Sequence, residues 1–269
     1  MANNSTRNNF DLKQDYEIRK TLNRDQMIEK LNEWAKGNYE ADMKMVGYKG
    51  FESVSKAVGD FYTENRENIK VLDVGAGTGW AGMELQKLGF KRMDGVDPSK
   101  EMMKVAECRN IYDKYYIEYV DGNRLPIETG MYLYTQVCKY RDRYVPIGMY
   151  ILLIVSNRLP IDEGSYDCSI CAGGFSENLI PTNALFEMTR VVKPGGIVCF
   201  CIQDSNLVKV DELRGRFMPL IEQFLSEGVW QEVRRETITD LITGGDGAVM
   251  TFKVLISEPT IPQLPGLKK

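Results

Sequence analysis

Histidine is absent from all 269 residues of the chain. Its absence excludes catalysis by Ser-His-Asp or Cys-His groups, histidine metal ligands and histidine general bases. A general base, if the reaction needs one, therefore has to be Asp, Glu, Tyr, Lys or Cys. The sequence predicts no metal site and identifies no catalytic residue.

The chain also lacks an excess of basic charge and a long apolar run. Its 34 basic and 38 acidic residues give a formal charge of -4, which predicts no nucleic-acid partner. The longest apolar run, Met149 to Val155, is far shorter than the roughly 20 residues that cross a bilayer. The first residues carry no export or organelle signal. We therefore predict a cytoplasmic protein that does not enter a membrane.

Cysteine spacing indicates neither disulfides nor a metal centre, although the chain has six cysteines. Cys168 and Cys171 lie in one predicted strand, where an i, i+3 pair points to opposite faces. Cys199 and Cys201 share a strand face without further ligand-spaced partners. We predict that these four are buried core thiols, as in a protein from a reducing compartment.

Apolar spacing divides the chain into four regions. Residues 1–23 are polar and predict a mobile tail, and a helical stripe that includes Met27, Leu31 and Trp34 begins an N-terminal helical cap at residues 24–66. Residues 67–257 alternate short apolar runs with helical segments, which predicts a parallel sheet with helices on both faces. Residues 258–269 form a predicted C-terminal tail.

Seven strands are predicted in this domain, at residues 70–74, 93–96, 115–120, 166–172, 197–202, 230–237 and 248–256. One long helix is predicted between the fifth and sixth strands, at residues 209–227. The last two strands have no helix between them, so we expect them to pair antiparallel at one edge.

A pentapeptide, NRLPI, occurs at residues 123–127 and again at residues 157–161. Removing one copy joins the third and fourth predicted strands by a compact loop. We interpret residues 123–156 as an insertion, produced by duplication or by a gene-model error such as a translated intron. A genuine extra hairpin is the alternative.

The strongest motif is a glycine-rich turn between a predicted strand and a predicted helix. Residues 71–80 read VLDVGAGTGW, which places Gly75, Gly77 and Gly79 after an apolar strand. Glycines let the backbone approach a ligand, and free N–H groups at a helix start favour a negative group. Trp80 replaces the third glycine of the dinucleotide motif GxGxxG. We expect its indole to obstruct the close helix packing of a dinucleotide fold.

Other motifs follow the remaining strands at their carboxyl ends, where open α/β sheets bind ligands. Asp97 ends the second strand and is placed to accept hydrogen bonds from both hydroxyls of a ribose. Asp121 and Gly122 follow the third strand, and Gly173 follows the fourth. A ribose-binding carboxylate at this position suits NAD and S-adenosylmethionine alike.

Together these motifs resemble the class I S-adenosylmethionine-dependent methyltransferases of the small-molecule type. The similarity runs from about Trp34 to Ile256, interrupted by the insertion, and includes WAxxxYExD at residues 34–42. It implies a Rossmann-like α/β fold, with a seven-stranded, mostly parallel sheet, a terminal antiparallel strand and helices on both faces. It also implies S-adenosyl-L-methionine as the cofactor.

The resemblance implies roles for individual residues. Asp73 and the glycines of the turn lie by the methionine part of the cofactor, Asp97 binds the ribose, and Met102 packs on the adenine. Asp121 takes the adenine amino group, with the Gly122 N–H nearby. The complete predicted cofactor site is Tyr39, Asp73, Gly75, Gly77, Gly79, Asp97, Met102, Asp121, Gly122 and Gly173.

Several of these residues have a purely structural alternative. Met102 and Tyr39 can also be explained as packing residues. Asp121 can be explained as the end of a strand, and Gly173 as part of a turn. Because the insertion begins shortly after Asp121, it also puts the adenine side and activity in question.

The methyl acceptor is not identified by the sequence, and neither is the oligomeric state. The Asn/Asp-Pro-Pro-Tyr motif of amino-methylating DNA enzymes does not follow the fourth strand, which argues against a nucleobase amine. A small molecule is the first choice and a protein side chain the second. The alternatives are an inactive S-adenosylmethionine-binding interaction protein, which the insertion favours, and a nicotinamide-dependent oxidoreductase. Trp80 and the final antiparallel strands argue against the oxidoreductase.

The insertion hypothesis predicts a transcript in which Gly122 is joined directly to a single NRLPI copy. Sequencing of full-length transcripts is the measurement. If every transcript encodes both copies, the segment is a genuine part of the protein.

Overall fold

The computed structural model describes residues 10–121 and 161–257. Gly122, the predicted insertion at residues 123–156 and the predicted C-terminal tail lie outside the described residues. In chain order the described elements are α1 (Leu12–Lys20), α2 (Arg24–Lys36), α3 (Tyr39–Met45), α4 (Gly50–Phe61), a 3-10 turn (Arg66–Asn68), β1 (Lys70–Val74), α5 (Trp80–Lys87), β2 (Arg92–Val96), α6 (Lys100–Cys108), β3 (Lys114–Tyr116), β4 (Tyr166–Ala172), α7 (Ala184–Arg190), β5 (Val192–Gln203), α8 (Asp204–Lys209), α9 (Phe217–Ser226), β6 (Trp230–Ile242) and β7 (Gly245–Val254).

The seven described strands form one sheet in the order β3-β2-β1-β4-β5-β7-β6. β1 pairs in parallel with β2 and β4, whereas β7 runs antiparallel between β5 and β6. The predicted fold class is therefore confirmed, including the antiparallel pairing of the last two strands. This topology brings the carboxyl ends of β1, β2, β4 and β5 to the same edge of the sheet.

Apolar side chains cover both faces of the sheet, which gives three layers. One face packs against α7 and α9 through residues such as Leu72 and Phe200, and the other packs against α4, α5 and α6 through residues such as Val71. Cys171 lies on the face that packs against α7 and α9, and Cys168 lies on the face that packs against α4, α5 and α6. Cys168, Cys171, Cys199 and Cys201 are all buried, so the prediction that they are core thiols is confirmed.

Part of the predicted N-terminal tail is instead a helix. The Asp11 side chain caps α1 by accepting hydrogen bonds from the backbone N–H groups of Lys13 and Gln14, at 2.8 and 3.2 Å. Within the helix, Asp15 forms an ion pair with Arg19 at 2.6 Å. Capping and ion pairs stabilise this helix, which lacks a continuous apolar stripe. Hydrophobic spacing therefore did not predict it.

Two further boundaries differ from the prediction. Residues 209–227 do not form one helix, because α8 ends at Lys209 and α9 begins at Phe217, with Gly215 at a φ of +68° between them. The predicted strand at 115–120 is β3, Lys114–Tyr116. β3 is the edge strand of the described sheet, and its chain then turns so that the Tyr119 hydroxyl donates to the Leu179 carbonyl.

Candidate functional site

A cavity of about 640 Å³ lies at the carboxyl ends of the parallel strands, beneath the N-terminal helices. Its volume is within the range of roughly 300–1,000 Å³ that is typical of small-molecule sites. Helices α1, α2 and α3 line one side, and the segments after β1, β2, β4 and β5 line the other. Of the predicted cofactor residues, those that line the cavity are Tyr39, Gly75, Gly77, Asp97, Met102 and Gly173.

The glycine turn between β1 and α5 forms the part of the cavity wall nearest the sheet. The N–H of Gly75 donates to the Val96 carbonyl at 2.9 Å, which ties the turn to the end of β2. Gly75 and Gly77 have φ angles of +71° and +54°, which glycine adopts without steric cost. A Cβ on Gly75 would lie 2.8 Å from Ile180 Cδ1. Glycine therefore fits both the local conformation and the narrow space.

Asp97 lies directly against this turn, as the spacing of the two motifs predicts. One carboxylate oxygen accepts the Gly77 N–H at 2.9 Å, and the other accepts the Ser99 N–H at 2.8 Å. Burial raises the pKa of Asp97 to about 6, although these two backbone hydrogen bonds oppose the shift. Each oxygen has two lone pairs and uses one in these bonds. The remaining lone pairs are available to ligand hydroxyl groups.

Two cap residues approach the same turn from the other side of the cavity. A Cβ on Gly77 would lie 3.9 Å from the Tyr39 hydroxyl oxygen. The Tyr39 ring packs edge-on against Trp34, with 4.9 Å between the ring centroids. The Trp34 indole N–H donates to the Asp42 carboxylate at 2.7 Å. The cap motif WAxxxYExD thus places its tyrosine over the glycine turn.

Asp73 does not line the cavity in the described part of the chain. Its carboxylate accepts the Tyr112 hydroxyl at 2.6 Å and is buried beneath the sheet edge. Burial raises the pKa of Asp73 to about 7, and the Asp97 charge adds to the rise while the Tyr112 hydrogen bond opposes it. Asp73 is therefore not in the described wall of the cavity, and its role beside the methionine part of the cofactor stays a prediction.

Gly79 also has a different place from the predicted one. It is the N-terminal cap of α5, where a Cβ would lie 2.3 Å from Ile111 Cδ1 and 3.2 Å from Ala106. Gly79 therefore allows α5 to pack closely, and the Trp80 indole turns away toward Phe51 at 4.8 Å. The expected obstruction by Trp80 does not occur, because the neighbouring glycine performs the close packing.

The adenine side is described only in part. Met102 is buried and lines the cavity, and its packing on the adenine stays a prediction. Val120 lines the cavity, whereas the adjacent Asp121 is not in its described wall and lies 3.6 Å from Arg24. Gly122 lies outside the described residues.

Tyr48 is a cavity residue that the sequence analysis missed. A Cβ on Gly173, which has a φ of +83°, would lie 2.5 Å from the Tyr48 hydroxyl. The same hydroxyl lies 3.6 Å from Cys201 Sγ, and burial holds the pKa of Tyr48 well above its ordinary value. Tyr48 follows α3 outside any recognisable motif, so only the tertiary contact with Gly173 identifies it.

Comparison with known proteins shows similarity to methyltransferases. A family model described as a methyltransferase domain matches residues 71–134. Human (Homo sapiens) methyltransferase-like protein 27 is 25% identical over 177 residues, which is 65% of this chain. The chain spans 56% of the length of that relative.

Solved structures show the same fold at low sequence identity. A methyltransferase of Haloferax volcanii, solved with the Trm112 methyltransferase activator, has a TM-score of 0.52 at 15% identity and covers 84% of this chain and 98% of its own. The 1,6-didemethyltoxoflavin-N1-methyltransferase of Burkholderia thailandensis, solved with S-adenosylhomocysteine, has a TM-score of 0.52 at 12% identity and covers 92% of both chains.

The sequence similarity to a methyltransferase domain and the shared fold confirm the predicted resemblance to the class I methyltransferases. S-adenosyl-L-methionine is the cofactor of that family, and the cavity offers a buried carboxylate, that of Asp97, beside the glycine turn. No helix in the described ranges is long and apolar enough to cross a membrane.

Asp73 gives the fold a specific pH dependence. Its pKa rises from an ordinary 3.8 to about 7 in the folded protein, so between these values the unfolded chain binds fewer protons. The free energy of unfolding therefore falls as pH rises from about 4 to about 7. We expect Asp73→Asn to remove this contribution, so that its stability relative to wild type increases across the same interval.

Urea unfolding of both proteins at several pH values measures this difference. Asp113→Asn, which removes a nearby exposed carboxylate, is the matched control. Parallel stability profiles for wild type and Asp73→Asn contradict the prediction.

Proposed function

We propose that this protein transfers the methyl group of S-adenosylmethionine to a small-molecule acceptor held in the same cavity. The observation that carries the proposal is the buried Asp97 carboxylate, which lies against the glycine turn in a cavity at the carboxyl ends of the parallel strands. In this position it receives two ribose hydroxyls while Met102 covers the adenine.

Bound S-adenosylmethionine supplies a methyl group on a positively charged sulfur. When the acceptor takes the methyl group, the carbon–sulfur bond breaks and the sulfur becomes a neutral thioether. The chain's own contribution is mainly to position the reactants and to exclude water. Holding two reactants in a near-attack arrangement supplies on the order of 7–11 kcal/mol of the barrier reduction. A reaction of this kind does not require histidine.

The hydroxyls of Tyr39 and Tyr48 are among the polar groups that line the cavity. Burial, reinforced by the Asp97 charge, raises the pKa of Tyr39 to about 12, and burial also holds the pKa of Tyr48 well above its ordinary value. Both hydroxyls stay protonated at neutral pH, so they orient an acceptor by hydrogen bonds and do not remove its proton. The acceptor atom is therefore one that attacks without a strong base, such as a neutral amine or an ionised oxygen or sulfur.

Helix α1 supports a small molecule over a protein side chain as the acceptor. Leu12, Tyr16 and Arg19 line the cavity from this helix. Its position is held by the Tyr16 hydroxyl, which donates to the Lys209 carbonyl at 2.9 Å, and by Asn178, which donates to the Arg19 carbonyl at 2.5 Å. A polypeptide acceptor requires this roof to move aside, whereas a small molecule is enclosed by it.

The remaining parts of the proposal follow from charge and composition. The formal charge of -4 supports an acceptor other than nucleic acid. The buried reduced cysteines support a cytoplasmic location. An inactive S-adenosylmethionine-binding interaction protein is the second candidate, favoured by the NRLPI repeat, whose first copy begins two residues after Asp121 in the sequence.

Replacing Asp97 tests the cofactor site. We expect Asp97→Ala to weaken binding of S-adenosylhomocysteine by at least tenfold, because it removes the acceptor of two hydrogen bonds to a buried ligand. Calorimetric titration of the full-length protein measures the Kd. Asp113→Ala is the control for loss of a carboxylate outside the cavity, and equal binding by both variants removes Asp97 from the site.

Deleting residues 123–156 tests the second candidate. We expect the full-length and shortened proteins both to bind S-adenosylmethionine and S-adenosylhomocysteine, since the described cofactor residues all lie outside the deletion. Titration of the two proteins side by side is the measurement. Binding by the shortened protein alone identifies the full chain as a disabled form, and binding by neither overturns the methyltransferase proposal.

A further inference from the structure

Glu40 connects the helical cap to the methyltransferase core through an ion pair with Arg109. Glu40 is the second residue of α3, and Arg109 directly follows α6. Arg109 Nη1 lies 2.7 Å from Glu40 Oε1, and Nη2 lies 2.9 Å from Oε2. Two parallel N–H···O bonds of this kind fix the relative orientation of the two groups as well as their separation.

The same pair is attached to the glycine turn at two further points. Arg109 Nη1 also donates to the Thr78 carbonyl at 3.0 Å, between Gly77 and Gly79. Trp80 Nε1 donates to Glu40 Oε1 at 3.0 Å. One carboxylate and one guanidinium therefore hold three separate segments together: the start of α3, the glycine turn and the end of α6.

Glu40 and Arg109 do not line the cavity in the described part of the chain, but the neighbour of Glu40 does. Tyr39 precedes Glu40 at the start of α3 and lies over Gly77. Displacement of the Glu40 side chain therefore moves the residue that covers the glycine turn. The structure explains two residues of the motif WAxxxYExD. Its tyrosine faces the cavity, and its glutamate anchors that tyrosine.

The Glu40–Arg109 pair is charged in both partners although it is only partly buried. The side chains of Glu40 and Arg109 are 26% and 30% exposed. Partial burial by itself raises the pKa of Glu40, but the hydrogen bonds from Arg109 and Trp80 and the Arg109 charge hold that pKa below its ordinary value. Glu40 is therefore ionised at neutral pH, and the pair is charge-assisted in both partners.

We propose that the Glu40–Arg109 pair is a clamp that positions Tyr39 over the glycine turn and so retains the adenosyl cofactor. Glu40 and Arg109 are positioning residues for cofactor binding and do not contact the cofactor themselves. This inference rests on the proposed function, because it assigns the clamp to the same cofactor site.

The test is binding of S-adenosylhomocysteine to full-length protein, measured by calorimetry and by stopped-flow dissociation well below the thermal midpoint. We expect Glu40→Gln to raise the Kd about fivefold to tenfold, mainly through faster dissociation. Glu84→Gln is the matched control: Glu84 is 27% exposed and pairs with Lys87 at 2.6 Å within α5. We expect this control to bind as wild type does.

Two further variants separate positioning from general destabilisation. Arg109→Lys keeps the charge but loses the paired geometry, and we expect a smaller rise in Kd. We expect the double variant Glu40→Gln with Arg109→Met to lose less binding than the sum of the losses in Glu40→Gln and Arg109→Met, because both single changes break the same ion pair. Arg109→Lys also carries the test if Glu40→Gln does not fold.

The outcomes distinguish this inference from the proposed function. If wild type binds and Glu40→Gln has the same Kd and dissociation rate as Glu84→Gln, the clamp is overturned and the cofactor site is unaffected. Additive effects in the double variant also overturn it. Absence of binding by wild type overturns the proposed function and the clamp together.

Discussion

The Asp97 carboxylate is the group on which the architecture of the site depends. It accepts one N–H from the glycine turn and one from the segment that begins α6, so it joins the loops that follow β1 and β2. These loops meet because β1 and β2 are parallel neighbours, with Val74 paired to Val96. A buried carboxylate needs such partners, since leaving it without hydrogen bonds costs several kcal/mol. The same bonds tie the glycine turn to the start of α6 beside the cavity that Asp97 lines.

Polar contacts, more than apolar ones, attach the N-terminal helices over this site. Asn32 of α2 is buried and accepts the Ser99 hydroxyl at 2.8 Å, two residues from Asp97. Glu40 of α3 pairs with Arg109, and Tyr16 of α1 reaches the end of α8. Such bonds are directional and individually modest, so they define where the helices sit without burying them in the core. A cap attached in this way encloses a ligand and still permits ligand exchange.

Much of the fold was predictable because strands and helices of this domain bury one face or both. The alternation of apolar runs predicted the parallel sheet, and the lack of a helix before β7 predicted its antiparallel pairing. The turn at Gly75 and Gly77 and the position of Asp97 were predictable because they follow consecutive strands. Helix α1 was not, because its cap and ion pairs carry no hydrophobic period. The contact of Asp73 with Tyr112 was not predictable either, because the two residues are distant in the chain.

By itself the sequence determined the order of elements, the glycine turn and the carboxylate that ends β2, because strand and turn preferences act over a few residues. Only the tertiary structure decided which side chains meet across distant segments. Tyr48 against Gly173, Gly79 against Ile111 and Glu40 against Arg109 are each separated by many residues in the chain. Their contacts depend on how helices pack on the sheet, and packing is a property of the whole fold that no local pattern records.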